Sequence, residues 1–159
     1  MTLSGIGYDV HRFITNRPLV LGGVEIPYHL GLDGHSDADV LSHAIADAVL
    51  GAVGERDIGY HFPNSDESIR GISSLEILRK VVTIVRERGG VLYNVDATVV
   101  AQAPKIGPHV AQMRTNVANA LGLDPRRVGV KATTNEGMGF IGRGEGIAAL
   151  AVASVHLPD

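Results

Sequence analysis

The chain has 159 residues, of which 45% are hydrophobic and 19% charged, with a formal net charge of −3. That length suits one domain able to bury its own core, and the charge balance gives no electrostatic reason to expect nucleic acid or an anionic membrane as a partner. No cysteine is present. Disulfides, thiolate metal sites and cysteine nucleophiles are thereby excluded, and a metal site must use imidazole, carboxylate and neutral oxygen ligands.

The first residues carry no basic or apolar leader pattern, and no run approaches a transmembrane span. The expectation is a cytoplasmic protein, or a plastid-type organelle protein that has lost its leader. The alternation from Gly5 to Phe13 predicts a strand, continued by a hairpin through Leu19–Leu21 and Val24–Ile26. A Gly-rich loop, Gly31 to His35, leads into a predicted helix from Asp37 to Val53, with Ser36 and Asp39 spaced as a capping box. A long loop runs from Glu55 to Gly71. The Ser73…Glu76 pair opens a second predicted helix, ending near Arg88. Val91 to Ala103 reads as a strand stopped by Pro104, and Pro108 to Leu121 as a third helix. Val128 to Thr133 is a strand, Gly137 to Gly146 a loop, and Ile147 to His156 a final strand. That last strand is too continuously apolar to face water, so it is central in the sheet or covered by another subunit. The class is α+β: a mixed four-stranded core sheet with helices packed on one face, plus a small N-terminal hairpin.

Asp9 and His11 lie two apart on a strand, so both side chains leave the same face. On a helical wheel Val40, Leu41, Ala44, Ile45, Ala48 and Val49 form an apolar stripe. His43 falls on the other side with Ser36, Asp39 and Asp47, and Asp47 is placed to be its supporting partner. Asp9, His11 and His43 make a three-ligand O/N set suited to catalytic zinc, although ligand type alone also admits manganese or another first-row ion. Two segments suit phosphate. Ala101-Gln-Ala-Pro-Lys105 ends a strand with a lysine just before a helix, and Lys131-Ala-Thr-Thr-Asn-Glu136 ends another with hydroxyls and a carboxylate fit for Mg²⁺. Gly137 to Gly146 matches neither a P-loop nor a dinucleotide fingerprint.

Asp9-Val10-His11-Arg-Phe, Gly34-His35-Ser36-Asp-Ala-Asp-Val40, His43, Asp57-Ile58-Gly59, Phe62-Pro63, Asn94-Val-Asp96, Ala101 to Lys105, Lys131 to Thr134 and Gly139-Phe140-Ile-Gly-Arg143-Gly-Glu-Gly146 occur together in this order. The set closely resembles the 2-C-methyl-D-erythritol 2,4-cyclodiphosphate synthases of the non-mevalonate isoprenoid pathway, over essentially the whole chain. The resemblance implies a single domain over residues 1–159, assembled as a homotrimer around a three-fold axis with active sites between adjacent subunits. It implies a phosphorus–oxygen lyase that turns 4-diphosphocytidyl-2-C-methyl-D-erythritol 2-phosphate into the cyclic diphosphate and CMP.

By the same resemblance Asp9, His11 and His43 hold zinc, with Val10 beside them at the substrate, and Glu136 holds a Mg²⁺ or Mn²⁺ ion bridging phosphates. His35, Ser36 and Thr134 hold phosphate oxygens, and Lys105 offsets charge on the leaving CMP. Asp57, Ile58, Gly59, Phe62, Pro63, Asn64, Ser65 and Asp66 line the methylerythritol pocket. Asn64 stands where the family more often has Asp or Pro. Ala101, Gln102, Ala103, Pro104, Lys105, Ile106 and Gly107, with Thr133, Thr134, Asn135 and Glu136, hold the cytidine diphosphate from a neighbouring subunit. Phe140 and Arg143 face an axial cavity for an isoprenoid diphosphate. Two other readings use the same residues: a zinc phosphohydrolase that activates water, and a trimeric isoprenoid-diphosphate-binding module without catalysis.

Overall fold

The computed structural model describes residues 1–158. Its organising contact joins the first strand, β1 (Thr2–Ile14), to the first helix, α1 (Val40–Ala52). Gly5 and Gly7 of β1 face the helix, and a Cβ on either would lie 2.0 or 1.9 Å from the carbonyl oxygens of Ala48 and Ala44. Only glycine on the strand, opposite alanine on the helix, lets the two backbones approach this closely.

The hairpin forms a separate small sheet of β2 (Leu19–Leu21) and β3 (Val24–Ile26). After β4 (Gly31–Leu32) and α1 come α2 (Ile58–His61), α3 (Ser74–Glu87), β5 (Val91–Val100), α4 (Val110–Leu121), β6 (Val128–Thr133), α5 (Gly139–Gly142) and β7 (Gly146–His156). The main sheet has the order β4-β1-β7-β5-β6, with β5 and β6 parallel and the other pairs antiparallel. It is the expected four-stranded mixed sheet with the two-residue β4 added at its edge. β7 is indeed central: Ile147, Ala149, Ala151, Ala153 and Val155 point into the core beneath the helices. No helix among the described residues is long and apolar enough to cross a membrane.

Three local expectations are corrected. The first helix begins at Val40, capped by Asp39, whose carboxylate accepts from the backbone N–H groups of Ser42, Gly22 and Gly23 and from the Ser42 hydroxyl. Ser36 is therefore no capping residue; its hydroxyl accepts from Ala38 N at 3.1 Å. Ser73 does occupy the N-cap of α3 but makes no side-chain cap bond. Asp37, distant in sequence, accepts from Ser74 N at 3.0 Å instead. The two-faced wheel for α1 also fails, because β1 and β7 cover one side and α3 another. His43, Ser42 and Ala46 are buried with the apolar stripe.

Candidate metal centre and substrate pocket

Because β1 alternates, the face that carries Gly5 and Gly7 against α1 next presents Asp9 and then His11. Gly7 meets Ala44, so Asp9 arrives beside the first turn of the helix, where His43 sits. The Asp9 Oδ2 atom lies 2.9 Å from His11 Nε2 and 3.0 Å from His43 Nδ1, and the two ring nitrogens are 3.2 Å apart. On its far side His11 Nδ1 donates to the Asp33 carbonyl at 2.5 Å, which leaves Nε2 with its lone pair toward Asp9. Burial works to raise the Asp9 pKa, yet hydrogen bonds and charge from the two histidines hold it well below the usual carboxylate range. Burial likewise works to lower His11, and its pairing with Asp9 raises it. Three atoms that are acceptors when deprotonated converge on one point. Such a set needs a proton or a cation between its members, and oxygen plus two imidazoles within bonding reach of one ion fits a divalent first-row metal.

The triad forms the floor of a pocket walled by His35, Ser36, Ile58, Gly59, Phe62 and Asn64, with Ile69, Ile72 and Ile77 behind. Arg17 braces one rim: its guanidinium donates to the carbonyls of Gly34 and Ser36, both at 2.6 Å, on either side of His35. Asp57 caps α2 by accepting from Tyr60 N at 2.9 Å. A second pocket, sharing no residue with the first, opens where β5 and β6 end. Ala101, Gln102, Pro104, Lys105, Ile106 and Gly107 line it with Thr133 and Thr134. The Gln102 side chain accepts from Gly137 N at 3.1 Å and ties the end of β5 to the turn that follows β6.

A sequence model of the YgbB family matches residues 2–156. The chain belongs to this family. The 2-C-methyl-D-erythritol 2,4-cyclodiphosphate synthase of Akkermansia muciniphila is 58% identical over 160 residues, covering 100% of this chain and 95% of that protein. Among solved structures, the bifunctional IspDF of Campylobacter jejuni superposes with a TM-score of 0.95 at 45% identity, covering 100% of this chain and 43% of that longer one. The Plasmodium falciparum IspF in its CDP complex superposes with a TM-score of 0.86 at 32% identity, covering 99% and 97%.

Against this family frame, the structure brings together Asp9, His11, His35, Ser36, His43, Ile58, Gly59, Phe62 and Asn64. Of the residues expected to hold the cytidine diphosphate, Ala101, Gln102, Pro104 to Gly107, Thr133 and Thr134 line the separate second pocket, whereas Ala103, Asn135 and Glu136 do not. The Asp66 carboxylate is taken by Ser68 as the cap of a short turn, while its carbonyl lies 3.4 Å from His35 Nε2. Val10 points to the opposite sheet face from its neighbours and shares a concavity with Phe140 and Glu145. Arg143 is ion-paired to Glu145. Glu136 is exposed, with φ of 52°, and its N–H donates to Thr134 Oγ1 at 3.2 Å.

Asp47 is not the partner of His43. Its carboxylate accepts from Ile58 N at 2.8 Å and so fixes the start of α2; burial first, then the charges of Asp57 and Asp9, raise its pKa against that bond. The groups that do meet His43 Nε2 are the hydroxyls of Ser74 at 2.9 Å and Ser36 at 3.1 Å. Sequence reading missed Ser74, Asp37 and Arg17 because each acts across 17 or more positions, on a partner that no local pattern marks.

Proposed function

We propose that this chain converts 4-diphosphocytidyl-2-C-methyl-D-erythritol 2-phosphate into 2-C-methyl-D-erythritol 2,4-cyclodiphosphate and CMP, as a cyclising lyase of isoprenoid precursor synthesis in the cytoplasm. The observation that carries it is the convergence of Asp9, His11 and His43 at the floor of a pocket rimmed by His35 and Ser36, in a chain 58% identical to a synthase of that name. The CDP complex of the Plasmodium relative supports the cytidine half of the substrate.

An oxygen of the substrate's 2-phosphate forms a bond to the β-phosphorus, and the bond from that phosphorus to the bridging oxygen breaks. Its electron pair leaves on the CMP phosphate. The nucleophile is already anionic at neutral pH, so the protein's task is positioning and charge stabilisation rather than proton abstraction. His35, Ser36 and Thr134 hold phosphate oxygens, Lys105 offsets charge on the leaving CMP, and Asp57 with the Ile58 and Gly59 backbone receives the methylerythritol hydroxyls. When bound, zinc or another first-row ion at Asp9, His11 and His43, with Mg²⁺ or Mn²⁺ at Glu136, supplies Lewis-acid polarisation of the phosphates. The two pockets share no residue, which favours a homotrimer whose sites pair the metal pocket of one copy with the nucleotide pocket of the next. The Val10, Phe140 and Glu145 concavity, with Arg143 beside it, then faces the axis and suits an isoprenoid diphosphate.

Incubation with the diphosphocytidyl substrate, Zn²⁺ and Mg²⁺ is expected to yield equal amounts of cyclic diphosphate and CMP, and chelation to abolish both. Release of a linear phosphorylated methylerythritol would instead assign a phosphohydrolase that activates water.

A further inference from the structure

We propose that Ser74, backed by Asp37, is the positioning residue that sets the tautomer of His43 and so commits its Nδ1 atom to the metal. The inference rests on the metal reading above.

The Ser74 hydroxyl is fully buried between two groups, Asp37 Oδ1 and His43 Nε2 at 2.9 Å. A carboxylate only accepts, so the hydroxyl proton goes to Asp37 and the Ser74 oxygen is left with lone pairs alone for the imidazole. His43 must therefore present Nε2–H to Ser74, and the lone pair of a neutral ring falls on Nδ1, 3.0 Å from Asp9 Oδ2. Ser36 cannot impose this direction by itself. Its hydroxyl is tied to no carboxylate and is free to donate or to accept.

The hydroxyl is not explained by helix capping. Asp37 Oδ2 already accepts from Ser74 N at 3.0 Å, and that bond alone serves the first turn of α3. Asp37 is itself fixed, because Asp37 N donates to Ile72 O and Gly71 N to His35 O, at 3.1 and 2.9 Å. The chain Asp37–Ser74–His43 thus reaches the metal from the strip that also carries Ile72 on the pocket wall. Asp33 does the same for His11 through a backbone carbonyl, so each imidazole has its outer nitrogen occupied from a different element. Partners in this position typically account for about 10- to 100-fold in metal affinity.

The test uses the full-length protein labelled with ¹⁵N-histidine and loaded with zinc. Expected is a His43 ring bound through Nδ1, with an Nε2–H proton protected from exchange. Ser74→Ala is expected to speed that exchange and weaken zinc binding by about 10- to 100-fold. A ring bound through Nε2, or a Ser74→Ala protein with wild-type zinc affinity and wild-type Nε2–H exchange, would overturn the proposal while leaving the metal site intact. A purely structural role predicts that second result together with a lowered unfolding temperature. The wild-type spectrum decides the tautomer even if the variant does not fold. Failure of the wild type to bind zinc in a His11-dependent way would overturn the metal reading and this inference together.

Discussion

His11 answers to two opposed demands. In the metal-free protein its pairing with Asp9 raises its pKa above 6.5, so the folded state holds the proton more tightly than the unfolded chain. That contribution to stability is fully present below the unfolded value and is lost as pH rises through the folded one. Asp9 acts in the other sense, with stability present above 3.8 and lost only in strong acid. Metal binding needs the neutral imidazole, so its stabilising effect grows as pH rises through the same range. Thermal unfolding with chelator and with excess zinc should therefore differ in slope as pH rises above 6.5: falling without metal, rising or level with it. Parallel slopes would mean that His11 is not a ligand. Arg17 gives a second test at this scale. It holds the two carbonyls that flank His35 but touches no ligand of the metal. Arg17→Ala should lower turnover by about 10- to 100-fold through misplacement of His35, with zinc affinity unchanged. A joint loss of both would make Arg17 a general brace of the loop.

The contact between β1 and α1 places the candidate metal ligands, and it depends on what is absent from two positions. Gly7→Ala would put a methyl 1.9 Å from the Ala44 carbonyl, a backbone atom that cannot rotate away. The helix must lift, at about 3 kcal/mol or more for overpacking of this severity, and His43 must move with it. Unfolding temperature and zinc affinity should fall together. Gly51→Ala, on the same helix with nothing nearer than 3.8 Å, is the matched control and should stabilise by about 0.5–1 kcal/mol. Equal effects of the two changes would refute the close-approach argument. Much of this element-level design was legible in advance. Period-two alternation put Asp9 and His11 on one face, and the β-branched and small-residue runs located all four long strands. The helix wheel failed because amphipathic patterning assumes one covered side, whereas α1 is packed between sheet and α3, and its polar residues are buried partners rather than a solvated stripe. The capping boxes failed for a related reason. Asp39 and Asp37 do cap helices, but Asp39 also ties down the Gly22–Gly23 turn, and Asp37 reaches a helix 37 positions on. Local spacing carries no record of such contacts.

On the sheet face without helices, Ile6 pairs with Val152 and Tyr8 with Leu150 across β1 and β7, and all four are exposed. A contiguous patch of large apolar side chains on the central strands suits the subunit contact of the homotrimer proposed above; of the two expectations for the last strand, the structure shows the first, a central place in the sheet. If the copies are arranged so that each active site joins one chain's metal pocket to its neighbour's nucleotide pocket, then two inactive variants can repair one another. His11→Ala destroys the metal half and leaves the nucleotide half; Lys105→Ala does the reverse. In trimers assembled at random from an equal mixture, a working site needs its metal half from a Lys105→Ala chain and its nucleotide half from a His11→Ala chain. Each condition is met half the time, so co-expressed variants should regain about a quarter of wild-type activity. Mixing the separately assembled trimers without subunit exchange should regain none. If both halves came from one chain, co-expression would also yield nothing, because every chain would carry one broken half.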